Sequence, residues 1–452
     1  MSSFLTSVVA VAAVLGFMIL IHEFGHYAAA KWLGVRVEVF SIGFGKRLLG
    51  FTRGETDYRI SAIPLGGYVK MTGENPMDER TGDPAEFLSH PRWHRFIIAI
   101  AGPLMNILLA IGLLTTVYMV HYQYAVYEDQ PVVLGWIDQD APAGKLGLQT
   151  GDRITRIEDI ANPTWEQLEP KVMLSPNQPL TITVRRGDQT FQKTITPEAQ
   201  GTNQMGYAGW VPQAPNTVTE LEPGMPAEQA GIKVDDEITA MDGQTVPAIA
   251  AMVERLKQTK DKPIDVTVLR NGQPITFHLQ PKLADVEGTS EKRYRIGIQS
   301  IPTKVGNLGF TAALQKSVEE NRKTSGLILE LVQKLIRGKV STKSIEGPIG
   351  IGRAAGEAAS EKGWMPLLAL TSAISLNLGI FNLLPIPILD GGLILTLLIE
   401  MVMGRDLSLN FKEGMLKVGF VFLMMLVVFV LYNDIARRFT PGMLVTHTVQ
   451  RK

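Results

Sequence analysis

At 452 residues the chain is too long for one ordinary hydrophobic core and implies several units. Its 44 basic and 44 acidic side chains cancel, so no net field argues for nucleic acid or for an acidic substrate. There is no cysteine, which excludes disulfides, thiolate-held zinc and thiol nucleophiles but leaves the compartment open.

Met1 to Ile21 carries no charged side chain, close to the ~20 residues a helix needs to cross a bilayer. The run lacks the positive start of a signal peptide and leads directly into His22-Glu23-Phe24-Gly25-His26, which cleavage would discard. On a helix the i, i+4 spacing puts both imidazoles on one face, where they can bind zinc while the intervening glutamate activates water. By itself the pentapeptide is equally a chance match whose histidines cap a helix or meet a partner chain. The apolar setting favours the functional reading, because ionisable groups at membrane depth are costly and mostly functional.

Further along, Tyr58 to Met71 reads as a strand and loop broken at Gly66-Gly67, and Gly43 and Gly45 permit close backbone approach. Phe96 to Val120 is a second uncharged run; His90 and His94 before it share the 22/26 spacing but lack a glutamate between them and read as interfacial. His121, His278 and His447 are isolated. Residues 127 to 305 have the composition of a soluble insert. Within it a duplication is legible at an offset of 84 residues: Pro142-Ala143 matches Pro226-Ala227, Gly147 matches Gly231, Asp152 matches Asp236, Thr183-Val184 matches Thr267-Val268, and Arg186 matches Arg270. The second copy has Val234-Asp235 where the first has Thr150-Gly151. Gly326 to Ile336 is apolar at helical spacing, which suits an interfacial helix or a plain packing helix.

Trp364 to Ile399 is uncharged apart from Asp390, with Pro385 and Pro387 expected to break its helix. Val418 to Tyr432 is apolar but short, so Lys417 would have to snorkel. Four spans with the insert between the second and third bring His22, near the far end of span one, and Asp390 to similar depth. Lys31, Arg36, Lys46, Arg47, Arg53, Arg92, Arg95, Arg405 and Lys412 flank the spans opposite the insert, which makes those loops cytoplasmic by the positive-inside rule. Arg437, Arg438, Arg451 and Lys452 disagree.

Taken together and in this order, HEFGH, Ser41-Ile-Gly-Phe-Gly45, Ile63-Pro-Leu-Gly-Gly-Tyr-Val-Lys-Met71, the duplicated insert and Asn382-Leu-Leu-Pro-Ile-Pro-Ile-Leu-Asp-Gly-Gly392 resemble the site-2 protease family of intramembrane metalloproteases, of the bacterial regulator-of-sigma-E type. Pro142 to Ile154 and its copy resemble tandem bacterial PDZ domains, which take extended peptides by strand addition; either groove is equally read as binding nothing and serving as a steric filter. The fold expected is a multi-pass α-helical membrane protein of about four spans, with a membrane-associated β-hairpin region and two inserted α+β PDZ domains. Its divisions are a membrane half at 1–125, modules at 126–200 and 215–285, an interfacial helical region at 305–345 and a second membrane half at 360–440.

The resemblance implies a zinc endopeptidase with His22, His26 and Asp390 as ligands and Glu23 as the base. Glu400 is the rival third ligand. For Asn382 it implies a role in holding the substrate backbone or a developing oxyanion, beside the plain reading of an interhelical hydrogen bond. It also implies that the hairpin clamps an unwound substrate, with contacts from Gly43, Gly45, Gly66, Gly67 and Tyr68, and from Asn382, Pro385 and Pro387 across the cleft. The substrate implied is a single-pass membrane protein of the anti-sigma factor type, already trimmed outside, with remnant signal peptides as a further class. The location implied is the bacterial inner membrane, with the PDZ modules periplasmic and the site toward the cytoplasm. The other partners implied are the lipid bilayer and a PDZ peptide ligand; no nucleic acid is expected. The competing class is a non-catalytic membrane PDZ receptor or chaperone for exposed termini; a zinc transporter is disfavoured because two adjacent histidines and one distant aspartate make a poor conduction path.

Overall fold

The structure is a computed structural model describing residues 3–75, 81–200, 204–285, 292–300, 303–341, 347–360 and 363–439. His447, Arg451 and Lys452 lie outside the described residues. The chain divides into two units. Among the described residues, one comprises 3–122, 307–330 and 347–439, the other 123–306 and 331–341.

Helix α1 (Ser3–Leu33) does not stop at its first polar residues. It contains a stretch, Val11–Leu33, long and apolar enough to cross a membrane, and that stretch runs on through His22 and His26. The physical reason is cover. His22 is buried, and Gly25 presses on helix α2 (Arg92–Val120), where an added Cβ would come within 2.4 Å of the Ala101 carbonyl oxygen. Between the two helices runs a hairpin of β1 (Val37–Arg53) and β2 (Thr56–Met71). Val37 to Ile42 pair with Met71 to Gly67, while Val39 to Ile42 also lie beside Asp57 to Ile60, and Arg47 to Arg53 face Ser61 to Thr56. Two long strands thus make four adjacent segments. β1 doubles over at Gly43 and Gly45, both in the left-handed region at φ +88° and +84°. The break expected at Gly66-Gly67 is not there: β2 is continuous, with Gly66 at φ +136° absorbing the irregular register. Phe44, Leu48, Leu49, Phe51, Ile60 and Ile63 are left exposed, an apolar face of the kind lipid covers.

In the second unit, β3 (Tyr122–Ala125) opens the insert and is followed by β4 (Leu134–Ile137). One four-stranded antiparallel sheet has the order β6 (Ile160–Ala161), β5 (Arg153–Ile157), β7 (Leu180–Arg186), β8 (Gln189–Ile195). Helix α3 (Trp165–Met173) packs its Trp165, Leu168 and Val172 into the core beneath that sheet. A second sheet repeats this order, with β12 (Gln244–Thr245), β11 (Glu237–Met241), β13 (Ile264–Arg270) and β14 (Gln273–Leu279), and helix α4 (Ile249–Thr259) repeats α3. The 84-residue offset reaches single bonds. Arg186 clasps Asp152 at 2.7 Å and the Gly147 carbonyl at 2.9 Å; Arg270 clasps Asp236 at 2.7 Å and the Gly231 carbonyl at 2.8 Å. Asp235 takes a positive φ, +71°, where the first copy has Gly151 at +89°. Each copy closes with a strand beyond the boundaries at 200 and 285: β9 (Trp210–Pro212) pairs with β4, and β15 (Ile298–Gln299) pairs with β10 (Glu220–Leu221). Finally β16 (Thr303–Gly306) pairs with β3, so the insert leaves beside where it entered.

The chain returns through α5 (Phe310–Ile336), which starts well before the Gly326 suggested by the apolar spacing and is held to α2 by Ser317 Oγ donating to the Ile111 carbonyl at 2.9 Å. After α6 (Pro348–Ser360), the apolar run from Trp364 to Ile399 is broken at its prolines, as expected, into α7 (Met365–Leu383) and α8 (Asp390–Met403). Both pack along α2. Ser372 donates to the Ala110 carbonyl, Ser375 to the Asn106 carbonyl, and beyond the far end of α8 Arg92 meets Asp406 at 2.9 Å, so the two helices in turn run antiparallel to the whole of α2. The last helix, α9 (Leu409–Phe439), contains a span-length stretch Leu409–Asp434, longer than Val418 to Tyr432. Lys417 has no need to snorkel for length and pairs with Glu413 at 2.7 Å. Among the described residues four helices are long and apolar enough to cross a membrane: α1, α2, α7 and α9. The protein is thus a multi-helix membrane protein.

Candidate active site

The break between α7 and α8 makes the site. Pro385 and Pro387 cannot donate helical hydrogen bonds, and Ile388 is driven to φ +86°, a strained value for a β-branched residue. The loop folds so tightly on the start of α8 that a Cβ on Gly391 would lie 2.1 Å from the Leu384 carbonyl oxygen, and one on Gly392 2.5 Å from that of Ile386. Two glycines are therefore required directly after Asp390. That aspartate opens α8, where the helix dipole favours a carboxylate.

Asp390 meets the two imidazoles of α1. Asp390 Oδ2 is 3.1 Å from His22 Nε2, Asp390 Oδ1 is 3.5 Å from His26 Nε2, and the two Nε2 atoms are 3.3 Å apart. Among the described residues this is the one group of three potential metal ligands. Zinc bonds of about 2.0–2.1 Å in a tetrahedral site put neighbouring donor atoms about 3.3–3.4 Å apart, so the triangle has the size of one tetrahedral face. Two imidazoles and one carboxylate, with a fourth direction open, are the donor set of a catalytic zinc site, and these residues fit it. Glu400 does not join them. Wholly buried near the end of α8, it pairs with Lys412 at 2.6 Å and accepts the Leu407 N–H at 2.9 Å.

Glu23 lies beside the triad and lines the same cavity as Val69 on the edge of β2. The same edge touches it through Gly67, whose Cβ, if present, would sit 3.2 Å from Glu23 Cγ and 2.8 Å from the Ser41 carbonyl oxygen. Tyr68 stacks on Phe44 and hydrogen-bonds Arg59. Tyr27 hydrogen-bonds Tyr58 and so fastens the hairpin to α1. The triad, Glu23, Tyr68, Val69, Met71 and Glu74 wall a cavity of about 180 Å³. Glu74, which the sequence reading passes over, is tied there by the Met71 N–H at 3.1 Å.

Of the other expected site residues, Gly67 and Tyr68 adjoin the cavity. Gly66 lies under the Phe44 ring, and Gly43 and Gly45 form the bend of β1. Asn382 ends α7 and is half-buried; Pro385 and Pro387 shape the break. Sequence reading also missed α2. His26 Nδ1 lies 2.7 Å from the Ile98 carbonyl, His22 Nδ1 lies 3.2 Å from Asn106, and Gly102 faces the His26 ring so closely that a Cβ would be 2.2 Å from Nε2. The signal available was the polar Asn106 and the Gly102-Pro103 pair within an otherwise apolar run.

Residues 10–426 match the model of peptidase family M50. The chain is 32% identical over 466 residues to a Vibrio cholerae protein named "Putative zinc metalloprotease", covering 97% of this chain and 100% of that one. It is 31% identical over 471 residues to "Protease RseP" of Yersinia pestis, and 31% over 460 residues to "Regulator of sigma-E protease RseP" of Salmonella typhimurium; each covers 97% of this chain and 100% of the relative. The chain belongs to peptidase family M50, the site-2 protease family, and is a metalloendopeptidase.

Proposed function

We propose that this member of peptidase family M50 is a zinc enzyme that hydrolyses a peptide bond within the transmembrane segment of a single-pass membrane protein. The observation that carries the reading is the convergence of Asp390, at the start of α8, on His22, Glu23 and His26 of α1, a helix with a stretch apolar enough to span a bilayer. Zinc held by the three side chains would polarise a water molecule and the scissile carbonyl. Glu23, beside the triad in the same cavity, would take a proton from that water and return it to the leaving amine. The amide of Asn382, at the end of α7, is the group we assign to the substrate backbone or the developing oxyanion.

A helical substrate hides its carbonyls, so cleavage requires an extended segment. The edge of β2 from Gly67 to Met71 borders the cavity and offers backbone for one added strand. To substrate contact we assign Gly43, Gly45, Gly66, Gly67 and Tyr68 of the hairpin, of which Tyr68 lines the cavity, and Pro385 and Pro387 of the α7–α8 break. As substrate class we infer a membrane-bound anti-sigma factor already trimmed on its outer side, which rests on relatives named regulator of sigma-E protease; remnant signal peptides form a second class. The basic residues Lys31, Arg36, Arg92, Arg95 and Lys412 support a bacterial inner-membrane orientation with the site toward the cytoplasm and the insert periplasmic. The two repeats are read as PDZ modules that serve as a size filter, with or without a bound peptide.

The test is cleavage of a model transmembrane substrate by the purified protein in lipid, with zinc measured in the same sample. Glu23→Gln is expected to keep one zinc and lose cleavage by at least about 10²-fold, since the amide keeps the shape but cannot accept the proton. Turnover retained in Glu23→Gln, or a wild-type protein without stoichiometric zinc, refutes the reading.

A further inference from the structure

The two histidines of α1 present both Nε2 atoms to Asp390, so both Nδ1 atoms point the other way, into α2. For a neutral imidazole to give its Nε2 lone pair to a metal, the proton must sit on Nδ1, and that N–H needs an acceptor. His26 has one that cannot be mistaken: the Ile98 carbonyl at 2.7 Å accepts and never donates. His22 has Asn106, wholly buried, with its side-chain amide 3.2 Å from Nδ1.

As placed, the Asn106 nitrogen faces His22 and the oxygen Oδ1 is buried without a hydrogen-bond partner. That arrangement would ask the ring to accept at Nδ1, putting its proton on Nε2 and spoiling it as a ligand. Which end of an amide is nitrogen is an assignment made from the surrounding bonds, not a property of the fold. Turned over, Oδ1 receives the His22 Nδ1–H. The ring is then fixed as a metal ligand, with Oδ1 accepting from it and the amide NH2 on the other side.

We infer that Asn106 is a positioning residue for the metal centre, acting as the acceptor that holds His22 in its Nε2-ligating tautomer while the Ile98 carbonyl does the same for His26. Helix α2, which supplies no ligand, sets the orientation of both histidine ligands. It also binds the third part of the site, because the Asn106 carbonyl accepts Ser375 Oγ from α7 at 2.8 Å, just before the break that delivers Asp390. The inference rests on the zinc reading above.

The test compares zinc affinities of the full-length protein in detergent by chelator competition. Asn106→Leu, close in volume but with no acceptor, is expected to bind zinc about 10–100-fold more weakly, and Asn106→Asp, which restores an acceptor, to recover most of that loss. A merely packing role predicts the reverse order, because leucine suits an apolar helix interface and a buried carboxylate does not. Asn106→Asp binding zinc no more tightly than Asn106→Leu overturns the inference. Should either variant fail to fold, solid-state NMR of zinc-loaded, ¹⁵N-histidine-labelled wild type decides: a protonated His22 Nδ1 is expected, and a bare one overturns it. A wild type that holds no zinc refutes the metal reading itself, whereas a zinc-bound wild type without rescue by aspartate refutes only the role of Asn106.

Discussion

At the scale of single residues, the question the structure decides most sharply is which carboxylate completes the histidine pair. Asp390 and Glu400 stand on one helix, yet only Asp390 reaches the imidazoles; Glu400 is committed to Lys412 and the Leu407 N–H. Asp390→Asn is therefore expected to lower zinc affinity by at least about 10-fold, because an amide neither carries charge nor ligates zinc well. Glu400→Gln should leave zinc content unchanged while lowering stability, since it strands Lys412. Metal analysis of both variants checks the pair, and zinc lost only in Glu400→Gln would reverse the roles. His22, Glu23 and His26 stood out in the sequence because two imidazoles and a carboxylate share one short spacing in apolar surroundings, and Asp390 because it is the lone carboxylate of its apolar run. Asn106 and Gly102 were not legible as site residues, because a lone amide and a glycine in an apolar helix have ordinary packing uses, and only the contact with the histidine rings distinguishes them.

Among elements, the hairpin and the broken span illustrate how local rules combine with tertiary cover. The two prolines announced the α7–α8 break, whereas the doubling of β1 at Gly43 and Gly45 was hidden, because strand periodicity says which face a residue takes but not which segment lies beside it. The close approach of α1 to α2 gives a prediction in which two effects oppose. Replacing a mid-helix glycine by alanine normally stabilises a helix by about 1 kcal/mol. In Gly102→Ala the new methyl would come within 2.2 Å of His26 Nε2, so the ring must move. We expect zinc content and cleavage to fall together in this variant although α2 gains helix propensity, as metal analysis and an activity assay would show; full zinc occupancy would mean that α1 can slide away. In the second repeat, Asp236 is held below the ordinary carboxylate range by the Arg270 hydrogen bond and charge, which outweigh its burial. A depressed folded-state pKa gives stability that is complete above the unfolded value of about 3.9 and is lost as pH falls through the folded one. Amide-exchange protection of β11 and β13, corrected for intrinsic rates, should therefore decline below about pH 4. Arg270→Gln should cost about 1–3 kcal/mol at pH 7 and remove that acid-dependent part; an unchanged acid profile would deny the pair this role.

For the whole molecule, the informative fact is where the insert begins and ends. β3 and β16 are hydrogen-bonded to each other, so the chain leaves the membrane unit and re-enters it at neighbouring points. Every residue assigned to the chemistry lies outside the intervening segment, and each repeat has its own core, sheet and Asp–Arg clasp. The duplication itself was plain in the sequence because the clasp recurs at one offset, although the closing strands β9 and β15 were not, since each is only two or three residues long. Replacing residues 127–300 by a short glycine-serine linker between the ends of β3 and β16 should consequently leave zinc binding intact. If the insert is a size filter, the shortened enzyme should cut substrates with intact outer domains that the full protein rejects. Both forms should cut a pre-trimmed substrate at similar rates. Substitutions in either peptide groove should matter less than the deletion, because steric exclusion needs bulk and not a bound peptide. The decisive comparison is long against trimmed substrate in the full and shortened enzymes. If a zinc-loaded shortened enzyme still refuses the long substrate while cutting the trimmed one, the insert is not the filter, and the amphipathic helix α5 becomes the next element to alter.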